Sequence, residues 1–142
     1  MTKDVLITVS GRQFDVTDEP VVLVTRGNYY QKNGKHYVLY EEQQEGIDGV
    51  IKNRIKFYGD HCEMVKSGAV VSALKFSANE KHESVYNTTA GAVMMSVDTT
   101  EVRILESDER IDVLVNYSLD INGQFISKCS VEITIDAVRI NE

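Results

Sequence analysis

Little in this chain breaks a strand or staples a fold. There is one proline, Pro20, and there are two cysteines, Cys62 and Cys129, in 142 residues. Proline cannot donate to a ladder, and Pro20 suits the first residue of a strand. Two cysteines so far apart are expected as reduced thiols of a cytoplasmic protein, not as a disulfide frame. No apolar run is long enough for a signal peptide or a membrane span, and Met1 leads almost directly into a strand-like run. Convincing helical periodicity, low-complexity segments and internal repeats are all missing. Also absent are the Walker A loop, G-x-G-x-x-G, HExxH and CxxC, and with them the common phosphate, dinucleotide, zinc-protease and redox signatures. The net charge of −7 sets the chain against polyanions, so neither nucleic acid nor an anionic membrane is expected as a partner.

What is present is period two. In Arg110–Asp136 one arm alternates Ile111, Val113, Val115, Tyr117, Leu119 and Ile121 with more polar residues. The other alternates Phe125, Cys129, Val131, Ile133 and Ile135 with Lys128, Ser130, Glu132, Thr134 and Asp136. One face of each arm is buried and one is wet. Asn122-Gly123 marks the turn between them. A two-residue loop would set Ile121 opposite Gln124 and Val113 opposite Glu132. A three-residue loop pairs Leu119 with Phe125, Val115 with Cys129 and Val113 with Val131, and brings both apolar rows to one face. The expectation is therefore a type I turn followed by a left-handed Gly123 in a G1 bulge.

Upstream the same pattern repeats between tight turns. Strands are expected over Val5–Gln13 (with Gly11 as a bulge or bend), Val21–Lys32, Lys35–Glu45 and Val50–Tyr58. More follow over Cys62–Lys66, Ala69–Ser77, His82–Thr88, Ala92–Thr100 and, after a bulge near Glu101, Val102–Glu106. Gln13–Glu19 is a polar connection, Gly46–Gly49 a loop, and Ala90-Gly91-Ala92 allows a bend. For the hairpin at Asn33-Gly34 two registers stay open. A two-residue turn puts Tyr30 opposite Tyr37 and Arg26 opposite Glu41, and a three-residue loop puts Arg26 opposite Tyr40. Every gap is too short for a crossover helix, so the sheet should be an antiparallel meander. About ten strands in one domain, residues 1–142, close most economically into a β-barrel. A domain of this length can bury roughly two-thirds of its unfolded surface without staples.

Several of these segments resemble one family. They are a tyrosine-rich hairpin ending Tyr40-Glu41-Glu42, then Leu74-Lys75-Phe76, Tyr86-Asn87-Thr88, Gly91 and Val97-Asp98-Thr99, and a long terminal hairpin. Together they are similar to the YwiB-like family of small uncharacterised bacterial proteins, over nearly the whole chain. The resemblance implies a calycin meander barrel, lipocalin-like in shape. It implies no activity and transfers no catalytic residue. Phe14–Glu19 is too short for the helical lid of fatty-acid-binding proteins.

Candidate chemistry then lies inside the barrel. Arg26, Tyr30, Tyr40 and Glu42, joined by Tyr58 and Tyr86, are the candidates for lining it, since tyrosine offers an apolar body with one hydroxyl. The leading expectation is a non-enzymatic barrel holding a small, partly apolar ligand, with no cofactor. An alternative is an interaction module, with a homodimer as one form, that uses an outer barrel face. A weaker one is a cofactor-free enzyme in which Arg26, Tyr40 and Glu42 converge on a small carboxylate. Lys52, Arg54 and Lys56 share one strand face, read either as a solvated face or as a small anion patch. His61 and Cys62 are adjacent and point to opposite faces, so they cannot form a nucleophile–base pair. His36, His61 and His82 lie near separate turns and imply no metal site. Cys129 is expected as a small buried hydrophobe.

Overall fold

A computed structural model describes residues 4–14, 19–88 and 91–138, with no account of the side chains of residues 87 and 88. The expected polar connection across Gln13–Glu19 and the bend at Ala90 therefore fall largely outside the described residues.

Ten strands make one sheet. They are β1 (Asp4–Gln13), β2 (Val21–Lys32), β3 (Lys35–Glu42), β4 (Ile51–Tyr58) and β5 (His61–Gly68). Then come β6 (Ser72–Ser77), β7 (Lys81–Thr88), β8 (Gly91–Glu106), β9 (Arg110–Ile121) and β10 (Gln124–Ala137). The order is β6-β5-β4-β3-β2-β1-β10-β9-β8-β7, and every ladder is antiparallel. The first and last strands pair, so the sheet curls into a meander barrel whose seam lies between β6 and β7. Ser84 Oγ and Tyr86 OH bridge that seam, donating to the Ala73 carbonyl at 3.0 and 3.2 Å. Among the described residues no helix is long and apolar enough to cross a membrane.

The inner row follows from register. Val5 and Ile7 face Ala137 and Ile135 on one side and Gly27 and Thr25 on the other. The row continues through Tyr29 and Val38 to Ile55, Met64 and Leu74. Ile7, Ile55, Phe57, Phe76, Ile111, Ile133 and Ile135 are essentially fully buried and belong to one apolar cluster that fills the middle of the barrel. At one end His36 packs on Phe57 with ring centroids 4.9 Å apart, and its Nδ1 lies 2.6 Å from Tyr29 OH.

The terminal hairpin corrects the expected register. Its loop has two residues, with Ile121 opposite Gln124, and both Asn122 (φ 51) and Gly123 (φ 82) are left-handed. This is a type I′ turn, not a type I turn with a G1 bulge. Continued unbroken, it would have set apolar residues against polar ones. A bulge between Phe125 and Ser127 adds one residue and restores the parity. Val115 then faces Val131, Val113 faces Ile133 and Ile111 faces Ile135, two positions from the expected pairing but with both apolar rows on one face. Gly123 is left-handed in either turn, so its φ alone does not separate them.

Smaller differences have similar causes. Gly11 sits in regular pairing with Val131 and Val21, with no bulge. The expected strands over Ala92–Thr100 and Val102–Glu106 are one strand, β8, kinked by a bulge between Thr99 and Glu101. At Asn33 (φ 53) and Gly34 (φ 75) the two-residue turn is the one formed, so Tyr30 faces Tyr37.

Candidate functional site

β2 and β3 pair only from Asn28 to Lys32 and from Lys35 to Leu39. Gly27 is where they part. A Cβ there would fall against the Leu39 carbonyl and within 2.5 Å of Ile7 Cδ1, so only glycine admits this approach. Beyond Gly27 the strands diverge and leave a notch of about 470 Å³, bordered by Arg26, Leu39, Tyr40, Glu41, Lys52 and Asn53. That volume lies within the roughly 300–1,000 Å³ usual for small-molecule sites.

Behind the notch stands a half-buried polar cluster. Glu42, on the inner row opposite Ile51, accepts hydrogen bonds from Asn53 Nδ2 at 3.0 Å and from Lys66 Nζ. Lys66 Nζ also donates to Asn53 Oδ1 at 2.8 Å. Burial raises the Glu42 carboxyl, but hydrogen bonds from Lys66 and Asn53 and the Lys66 charge outweigh it and hold the group below the usual carboxylate range. Tyr40 is 6 % exposed, and burial together with the nearby Glu42 pushes its hydroxyl well above the ordinary tyrosine value. The hydroxyl therefore stays protonated and is a donor, and among the described residues it has no hydrogen-bond partner.

The six sequence candidates divide between the two faces. Tyr40 and Glu42 lie on the inner row, and Tyr86, opposite Val93, lies on it at the seam. Arg26, opposite Leu6, is on the outer face, though it borders the notch. Tyr30 stacks on Tyr37 outside, with centroids 4.8 Å apart. Tyr58 is outside too, with Lys35 Nζ 4.7 Å from its ring centroid. Arg26 makes no hydrogen bond to Tyr40 or Glu42, so the convergent set that a carboxylate-processing enzyme would need is not assembled.

Sequence reasoning missed Asn53 and Lys66, which meet Glu42 only because β4 pairs with β5 through Asn53↔Lys66. It also missed a cluster across β5 and β6. His61 faces Ser77, and Ser77 Oγ lies 2.5 Å from His61 Nδ1 and 3.3 Å from His82 Nε2. The opposite-face reading of His61 and Cys62 holds: Cys62 is buried in the core, while the His61 side chain is 41 % exposed. Among the described residues no three His, Cys, Asp or Glu side chains gather in a way that could hold a metal ion.

Comparison with known proteins agrees with the fold and adds no activity. A family model described as "Domain of unknown function (DUF1934)" matches residues 7–133. The crystal structure of ywiB protein from Bacillus subtilis superposes with a TM-score of 0.78 at 19 % identity, covering 96 % of this chain and 93 % of that one. Among curated proteins nothing matches. The YwiB-like resemblance and the barrel thus agree.

Proposed function

The chain belongs to the DUF1934 family, and we propose that it is a binding protein whose site is the notch between β2 and β3. The ligand is a small, partly apolar molecule carrying a hydrogen-bond acceptor such as a carboxylate. The observation that carries this reading is the 470 Å³ cleft itself, which Arg26, Leu39, Tyr40 and Lys52 border where β2 and β3 part. Arg26 and Lys52 border the same cleft and, set against the one carboxylate there, Glu41, favour an anionic head group, while Leu39 offers apolar contact. The barrel centre is occupied by its own side chains, so the ligand sits at this end and not along the axis.

Native mass spectrometry of gently purified protein tests the reading. A reproducible adduct of small-molecule mass, lost on unfolding and depleted in Tyr40→Phe, is the expected result. Losing that one hydrogen bond should weaken binding by about 1–2 kcal/mol. A clean apo mass, together with no saturable NMR shift around Tyr40 when octanoate is titrated, would overturn it.

A second reading is supported by one edge. Val21, Val22 and Val24 are 80, 54 and 58 % exposed, on the part of β2 that β3 leaves unpaired. An uncharged apolar edge of this kind is a template for pairing with another strand, and a second copy of the chain offers the same edge antiparallel.

A further inference from the structure

Beside the β6–β7 seam, away from the notch, lies a second and smaller pocket of about 200 Å³, lined by Lys56, Tyr58, His61, Lys75, Ser77 and His82 among others. We propose that it binds a phosphate group, either inorganic phosphate or the phosphate of a small monoester.

The donor set is the argument. A row crossing the strands brings Lys56, Glu63 and Lys75 side by side on β4, β5 and β6. The next row brings Tyr58, His61 and Ser77 together. His82 reaches in from β7, across the seam. Two ammonium groups, two imidazoles and a hydroxyl, with the Glu63 carboxylate among them, thus surround a space about the size of one small anion.

Glu63 in the lining and the nearby Asp60 and Glu80 are already engaged. Glu63 pairs with Arg54 at 3.0 Å, Asp60 lies 3.5 Å from His61 Nε2, and Glu80 lies 3.6 Å from His82 Nε2. Lys56 and Lys75 have no carboxylate partner among the described residues. Lys56 Nζ instead sits 5.8 and 6.0 Å from the ring centroids of Tyr37 and Tyr58, which hold it over the pocket wall. The protein's net charge of −7 does not forbid an anion here. At physiological ionic strength charges beyond about 8 Å are largely screened, so the nearby lysines dominate the local potential. This also gives the basic row Lys52, Arg54 and Lys56 two roles: Arg54 neutralises Glu63, and Lys56 contacts the anion.

The test uses the three histidines of the chain as reporters. Their ring signals are followed by NMR at fixed pH while inorganic phosphate, and separately methyl phosphate, is titrated against chloride of equal ionic strength. His61 and His82 should shift and saturate. His36, on the inner row against Phe57, should not move. A Lys56→Gln/Lys75→Gln double variant, checked for an unchanged thermal midpoint, should raise the dissociation constant by about tenfold or more. Tighter binding of methyl phosphate identifies a monoester as the source, and tighter binding of inorganic phosphate identifies the free ion. Shifts that never saturate, that chloride reproduces, or that survive the double variant would each overturn the proposal.

Discussion

At the scale of single residues, two glycines show how differently one residue type is used. Gly123 is left-handed, with nothing within 4 Å of where a Cβ would stand. Gly123→Ala should therefore cost about 1 kcal/mol, from backbone strain alone. Gly27 has ordinary backbone, but its Cβ would meet a carbonyl and an isoleucine methyl. Gly27→Ala should cost more, about 1–3 kcal/mol, because β2 and β3 must separate. Urea denaturation of the two variants side by side checks the order. The Glu42 carboxyl gives a pH-dependent prediction. Its folded value is held below the ordinary one, so its contribution is present above about pH 4.3 and is lost as pH falls through the folded value. Lys66→Met removes the counter-charge from a carboxylate that is 12 % exposed and should cost about 1–3 kcal/mol at pH 7. The cost should shrink in acid, once Glu42 is protonated in both proteins, and denaturation at pH 7 and at low pH measures the difference. Cys62 is 2 % exposed and burial pushes its thiol up to about 12. With Cys129 also buried, neither thiol should react with Ellman's reagent at pH 8 until denaturant is added.

At the scale of strands and hairpins, alternation gave the faces and turns gave the pairing, and only the first can be read without knowing every inserted residue. Ile111, Val113, Val115, Ile133 and Ile135 are buried on the row that their spacing implies. Their partners were misjudged because Ile126, an ordinary apolar residue, is the extra one in the bulge, and no glycine or proline marks it. Deleting Ile126 should accordingly be tolerated, because Phe125 stays opposite Asp120, Ser127 opposite Leu119 and Val113 opposite Ile133 in one regular ladder. Inserting one residue after Ser127 should do more harm than any single substitution in the hairpin, since it would set Val113 opposite Glu132 and turn the inner row of β10 outward. Loss of the cooperative thermal transition by circular dichroism is the expected outcome for the insertion alone, and a deletion variant that lost it too would count against the bulge as the parity switch. The same limit governs the site. Arg26 and Tyr30 share parity within their strand, as do Tyr40 and Glu42, but relating the two pairs needed the Asn33-Gly34 turn type. Once two residues form that loop, Tyr30 and Tyr40 fall on opposite faces. Asn53 with Lys66, and His61 with Ser77, were beyond reach for the same reason: each is a cross-strand pair that only the ladder defines.

At the scale of the whole molecule, the barrel is strongest where the chain ends meet and weakest where its ladder is interrupted. β1, β9 and β10 hold Val5, Ile7, Ile111, Val113, Ile133 and Ile135, all at 1 % exposure or less. The β6–β7 seam is closed by side-chain bonds, Ser84 and Tyr86 to Ala73 O and His82 to Ser77. Local opening should therefore begin at the seam and at the β2–β3 notch, and hydrogen exchange should be slowest in β1, β9 and β10. The notch and the apolar edge of β2 are two consequences of the same divergence at Gly27. That links the binding reading to the self-pairing one, because a ligand in the notch and a second copy on the β2 edge would occupy neighbouring space. Val24→Lys separates the two. A lysine on the outer face of that edge should abolish any self-association seen by analytical ultracentrifugation, since an edge charge opposes strand addition. Tyr40 points to the other face of the sheet, so the same variant should leave small-molecule binding in place. Loss of binding together with self-association would instead mean that the site is completed only when two copies pair.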